Sequence, residues 1–198
     1  MRVIAGTARG RRLRASPATR PTADLIKGVI FSMLEALAYK RGYEPDEEGT
    51  FAAALAWPRV LDLFAGSGAL GIEALSRGAQ HADFVEQDRA AARIIEENLR
   101  ATGLAERAHV HLGLAQASLL RVRGPIDAVF ADPPYREAAE LLEVVDRLGA
   151  SGLVSPSGVV VLEQSAAAEP PPEVGPLPLH HSRTHGRTRV ALYAATAQ

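Results

Sequence analysis

The stretch Val60-Leu61-Asp62-Leu63-Phe64-Ala65-Gly66-Ser67-Gly68-Ala69-Leu70-Gly71 constrains this chain more than any other. An apolar strand runs into a glycine-rich turn, and a helical pattern opens directly from that turn. A lone G-x-G-x-x-G is a weak signal, but a strand before it and a helix after it are the context of a nucleotide-binding βαβ unit. In such a turn Gly66 bends sharply, Gly68 lets a ligand reach the backbone, and Gly71 lets helix and strand approach closely. The surrounding pattern repeats the unit. Strands are predicted at Arg59–Phe64, Ala82–Glu86, Ala108–Leu112, Ile126–Ala131 and Gly158–Glu163. Helices are predicted at Gly68–Arg77, Arg89–Thr102 and Arg136–Leu148, with a helical turn at Gln116–Arg121. After a Pro-rich loop, Pro170–Pro178, the segments Leu179–Thr184 and Thr188–Ala194 read as a terminal hairpin. Strands separated by helices give an α/β, doubly wound, mostly parallel sheet, here of seven strands with an antiparallel finish.

Composition narrows the class. At 198 residues, 47% hydrophobic and 23% charged, the chain reads as an ordinary globular domain. The absence of Cys excludes disulfides, thiolate catalysis and zinc ribbons. No apolar run approaches the roughly 18 residues of a membrane span, and Met1–Gly6 lacks the apolar core of a signal peptide. These features predict a cytoplasmic protein. The net charge of −1 hides an asymmetry: residues 1–42 carry nine basic and two acidic residues, and the remainder thirteen basic and twenty-one acidic. Residues 1–42 are therefore read as a basic extension with a first helix, not a separate domain, and residues 43–198 as the body. Ile26, Val29, Ile30, Met33, Leu34 and Leu37 form that helix's apolar stripe, with Thr22 or Asp24 as its cap. A basic arm on an acidic body is suited to a polyanion. Arg9, Arg11, Arg12, Arg14 and Arg20 are its candidate phosphate contacts, although the charge alone does not separate RNA from DNA.

Two groups of residues carry chemistry. Glu86, twenty residues after Gly66 at the end of the next strand, can bind both ribose hydroxyls of a nucleoside-like ligand. Asp62 stands at the mouth of the glycine turn. A carboxylate there repels a pyrophosphate, which a helix N-terminus would otherwise welcome, and suits an ammonium group. The ligand favoured is S-adenosylmethionine over NAD; tying down the loop is the alternative task for Asp62. The second group is Asp132-Pro133-Pro134-Tyr135, delivered by an apolar strand to the sheet edge where α/β proteins bind ligands. The carboxylate and rigid prolyl carbonyls can accept the N–H bonds of an exocyclic amine, and Tyr135 can stack on a base. His109, His111, His180, His181 and His185 lack the spacing of a ligand set, so no metal is predicted.

These motifs, with Arg2–Gly6, Gly10–Leu13, Arg20–Asp24, Glu73–Ala79, Val85–Asp88 and Gly186–Thr188, resemble the RsmD family of class I, Rossmann-like S-adenosylmethionine-dependent methyltransferases. The resemblance implies methyl transfer to the exocyclic N2 amine of a guanine in 16S ribosomal RNA, within the small ribosomal subunit or an assembly intermediate, without a metal. It makes residues 43–198 the methyltransferase domain. It implies cofactor contacts from Asp62, Gly66, Ser67, Gly68, Glu86, Leu114 and Asp132, and catalytic positions at Asp132, Pro133, Pro134 and Tyr135. RNA contacts fall to Arg9, Arg11, Arg12, Arg14, Arg20 and Thr22. The chain departs from the family pattern at Leu25 and Gly28 beside the entrance, and at Leu114, where the family carries an acid near the adenine. These departures sustain two alternatives: another DNA, RNA or protein amino-group methyltransferase, or a non-catalytic RNA-binding assembly factor.

Overall fold

A computed structural model describes residues 1–15, 24–133 and 138–195. Its centre is built from strands whose side chains are buried on both faces: β1 (Arg59–Leu63), β2 (His81–Glu86), β4 (Ile126–Ala131) and the second half of β5 (Val154–Ser165). Continuous apolar runs of this kind belong to parallel strands covered by helices on both sides. With β3 (Ala108–Leu112), β6 (Glu173–Val174), β7 (Leu177–His185) and β8 (Thr188–Ala194), they form one sheet in the order β3-β2-β1-β4-β5-β8-β7-β6. β3 through β5 in that order are parallel, and β8 pairs antiparallel with β5 and β7. Chain order reverses between β1 and β4, and at that switch point the carboxyl ends of strands open a crevice.

Helices α1 (Asp24–Lys40), α2 (Ala52–Ala56), α3 (Ala69–Ser76) and α4 (Arg89–Thr102) cover one face; α5 (Ala115–Ser118) and α6 (Ala138–Ser151) cover the other. All six residues of the α1 stripe are buried, as are Phe31 and Ala38. α4 is fixed at both ends: Asp88 caps its start through the Ala91 N–H at 2.7 Å, and Gly103, at φ 75°, ends it.

The sheet departs from the sequence expectation by one strand: the Pro-rich loop contains β6, two residues pairing with the start of β7. β5 also begins four residues early, at Val154. Pro156 and Gly158 are accommodated because the register with β4 jumps between Val154 and Val159. The apolar piece before Trp57 is α2, and Gly68 is the cap of α3, not its first residue. Thr22 lies outside the described residues, while Asp24 is the first residue of α1.

Candidate active site

The glycine turn leaves β1 and enters α3 under β2. Gly66 and Gly68 take positive φ angles of 57° and 76°, and Phe64, at 58°, shares that left-handed region without being glycine. Gly71 is required by space, because a Cβ there would lie 2.4 Å from the Phe84 ring. Glu86 holds the turn from the neighbouring strand: its two oxygens accept the N–H groups of Gly66 at 2.8 Å and Asp88 at 2.7 Å. The carboxylate therefore bridges the glycine turn and the start of α4, with lone pairs left over for hydroxyl donors. Burial raises its pKa, and those two amides partly offset the rise.

Asp62 lies deeper, 2% exposed, under the first turn of α3, where one oxygen accepts the Gly71 N–H at 2.8 Å. The loop-holding task is thus real. The other oxygen, Oδ1, takes no hydrogen bond from a described residue. Burial pushes the Asp62 carboxyl well above the ordinary range; the Gly71 N–H opposes this, and the charges of Asp132 and Glu86 add to it. The charges of Glu86, at the end of β2, and of Asp132, just after β4, thus both reach Asp62 on β1 at the switch point. Such a set repels a pyrophosphate and accepts a cation, so the residues present fit S-adenosylmethionine, with its sulfonium and ammonium groups, better than NAD. Asp132 is half-buried and Pro133 buried immediately after β4. Pro134 and Tyr135 lie outside the described residues, as do Arg20 and Thr22. Leu114, 52% exposed, precedes α5, and the N–H of its neighbour Gly113 donates to the Glu86 carbonyl at 2.9 Å.

The basic arm is folded. Val3 and Leu13 are buried, and residues 1–13 close on themselves through Val3 N–H to the Arg11 carbonyl and Gly10 N–H to the Val3 carbonyl, both 2.9 Å. Glu73 on α3 accepts the N–H groups of Ile4 at 2.8 Å and Ala5 at 3.0 Å. Its charge is balanced by the fully buried Lys27 of α1 at 3.6 Å and by Arg77 at 3.0 Å. Ser76, also on α3, accepts the Ala8 N–H at 2.9 Å and donates to the Ala5 carbonyl at 2.6 Å. Gly6 makes this contact possible, since a Cβ there would fall 1.8 Å from the Ser76 carbonyl oxygen. Most of the docking bonds come from the arm's backbone, with Val3 and Leu13 packed beneath it; Arg9, Arg11 and Arg12 are exposed, and the exposed Arg14 pairs with Glu97. The sequence reading missed Glu73, Ser76, Lys27 and Asn98. Their one visible signal was polarity on helix faces that are otherwise apolar.

Of the histidines, His111 donates from Nε2 to the Asp83 carboxylate at 2.8 Å and meets the His109 ring edge-on at 4.4 Å. His180 and His181 lie exposed on β7. Among the described residues no group of three or more candidate ligands gathers in a metal-binding arrangement.

The family model described as "Conserved hypothetical protein 95" matches residues 1–194. The candidate rRNA methyltransferase YlbH of Bacillus subtilis is 36% identical over 200 residues, covering 98% of each chain. Ribosomal RNA small subunit methyltransferase D of Escherichia coli K12 is 33% identical over 200 residues, covering 100% of this chain and 91% of that one. In solved structures, the Escherichia coli candidate methyltransferase yhhF superposes with a TM-score of 0.79 at 32% identity, covering 100% of this chain and 99% of the other.

Proposed function

The chain belongs to the family described as conserved hypothetical protein 95, the RsmD family of Rossmann-like methyltransferases, and from that premise we propose that it methylates the exocyclic N2 of a guanine in 16S ribosomal RNA. The observation that carries the proposal is that Glu86 and Asp62 hold the glycine turn at Gly66 and Gly71, with the charge of Asp132 reaching Asp62 and an exposed arginine arm docked on the helix that the turn opens. S-adenosylmethionine supplies, when bound, a methyl group already activated on a sulfonium.

The chain's own residues have simpler tasks. Asp62 Oδ1 and the backbone of Gly66–Gly68 receive the amino-acid end of the cofactor, and Glu86 the ribose. Asp132 accepts an N–H of the guanine amine and so aims its lone pair, which conjugation with the ring otherwise withholds. The Pro133 carbonyl is the second acceptor, and Tyr135 stacks on the base. A strong base is unnecessary before transfer, because nitrogen loses its proton readily once it carries the methyl group. Catalysis then rests on alignment and on a fixed electrostatic setting. The arm's arginines hold phosphates, positioning the RNA without reading its sequence.

The test is transfer of labelled methyl to 16S rRNA, naked and in small-subunit particles, followed by nucleoside analysis. Labelled N2-methylguanosine is the expected product. Asp132→Ala should lower turnover at least about 100-fold, near 2.7 kcal/mol, with RNA affinity little changed. Tyr135→Ala should weaken base capture by about 1–3 kcal/mol, and Tyr135→Phe should be mild. A different methylated nucleoside would discard the guanine assignment, and no product on either substrate would favour a non-catalytic RNA-binding factor.

A further inference from the structure

Asn98 lies on α4, 1% exposed, outside every motif discussed so far. Its side chain makes three hydrogen bonds to two backbone segments. Oδ1 accepts the Arg14 N–H at 2.8 Å; Nδ2 donates to the Arg14 carbonyl at 2.9 Å and to the Ser67 carbonyl at 2.9 Å. One amide group therefore grips the end of the basic arm from both sides and joins it to the middle of the glycine turn. A second tie runs alongside it, where the Ser67 hydroxyl meets the Met1 sulfur at 3.5 Å. The rest of the arm is anchored to Glu73 and Ser76 of α3, the helix that begins at Gly68. Much of the arm's docking therefore runs through the turn and the helix it opens, beside ties to α1 at Arg2 and to Glu97 at Arg14.

We infer that Asn98 is a positioning residue that couples cofactor binding at the glycine turn to RNA binding on the arm. The arm has two arrangements available, docked and released, and both ligands bias that equilibrium. A cofactor that fixes Ser67 fixes the carbonyl to which Asn98 donates, and so holds Asn98 in the orientation that grips Arg14. RNA that engages the arginines of a docked arm stabilises the same orientation from the other end. Each ligand then tightens the other by an equal factor, as linkage requires. The consequence is ordered use of substrate: the loaded enzyme captures RNA more tightly than the empty one. The identity of the two ligands rests on the function proposed above; the mechanical link rests on Asn98, with the arm's docking on α3 holding Arg14 within its reach.

Calorimetric titration with S-adenosylhomocysteine, which carries no transferable methyl, measures the coupling with and without a saturating 16S rRNA transcript. Wild type should show RNA tightening this ligand by about fivefold or more, the low end of ordinary coupling factors, with the reciprocal gain in RNA affinity. Asn98→Asp keeps the acceptor for Arg14 but sets an anionic oxygen against two carbonyls. Gly6→Ala forces the arm off Ser76 without touching Asn98 or either ligand. In both variants the factor should drop below about twofold, while S-adenosylhomocysteine affinity measured alone changes less. A merely structural role would lower melting temperature and leave the factor intact.

Hydrogen exchange on wild type decides the matter even if the variants fail to fold. S-adenosylhomocysteine alone should raise protection of the Val3, Gly10, Leu13 and Arg14 amides. Unchanged exchange there, two ligands that bind without affecting each other, or folded variants that keep the full factor would overturn the coupling and leave the methyltransferase reading standing. Failure of wild type to bind S-adenosylhomocysteine at all would instead overturn that reading and the coupling with it.

Discussion

Ionising Asp62 is costly. Its carboxylate is buried under α3 and faces two others, so its folded pKa lies well above the unfolded one, burial being the larger cause. The sign follows from proton binding. Below the unfolded pKa, about 3.9, both states hold the proton and nothing is lost. As pH rises from there toward the folded value, the unfolded chain releases its proton first, and stability falls. Asp62→Asn removes this penalty while its amide oxygen can still accept the Gly71 N–H. The melting temperature of the variant relative to wild type should therefore increase from pH 4 to pH 8, and its S-adenosylmethionine affinity should fall by about 1.5–3 kcal/mol. A difference that shrinks with pH would show that the Gly71 bond outweighs burial. Asp62, Glu86 and Asp132 were legible in the sequence because each stands at the end of a recognisable strand. Asn98 and Glu73 were not, because their partners are backbone atoms 84 and 69 positions away. No side-chain pattern records such a bond.

At the scale of elements, the arm shows the same limit. Its arginines were legible as charge, but its fold was not, because two buried residues, Val3 and Leu13, give no periodicity. The alternating strands and helices of the body, by contrast, state their burial repeatedly along the chain. Because docking uses backbone, the charge can be removed without undocking. Neutralising Arg9, Arg11 and Arg12 together should flatten the salt dependence of RNA binding by roughly 0.7–0.9 slope units per lost phosphate contact. α4 extends the same surface: Arg14 ion-pairs with Glu97, and Arg93 and Arg89 stand exposed one and two turns nearer the start of the helix. Each four-residue step advances about 6 Å, toward the Asp88 cap that touches Glu86. Arg89→Ala with Arg93→Ala should thus weaken RNA binding as the arm substitutions do. An unchanged slope in both sets, measured by filter binding across a salt series, would return these residues to ordinary solvated surface.

At the scale of the molecule, the sheet order forces the carboxyl ends of β1, β2 and β4 together and so concentrates negative charge at one crevice. βαβ periodicity made the strands β1 to β4 legible, and the structure supplies their order. The two-residue β6 is too short to announce itself. The crevice makes a whole-protein prediction. A ligand carrying a sulfonium and an ammonium compensates the carboxylates, so it binds best when they are ionised, and its stabilising effect should grow from pH 5 to pH 8. At a concentration 100 times Kd, a ligand that binds only the folded state adds about 2.7 kcal/mol. For a chain of this size each kcal/mol moves the melting temperature by about 2–4 °C, so S-adenosylmethionine should raise it by roughly 5–10 °C. S-adenosylhomocysteine keeps the ammonium but lacks the sulfonium charge, and its shift should depend less on pH. NAD brings two phosphate charges to the same carboxylates and should produce no shift at equal concentration. Thermal scans of the three ligands at both pH values separate these cases: an NAD shift as large as that of S-adenosylmethionine, or an S-adenosylmethionine shift that shrinks as pH rises, would mean that the three carboxylates do not face the bound ligand.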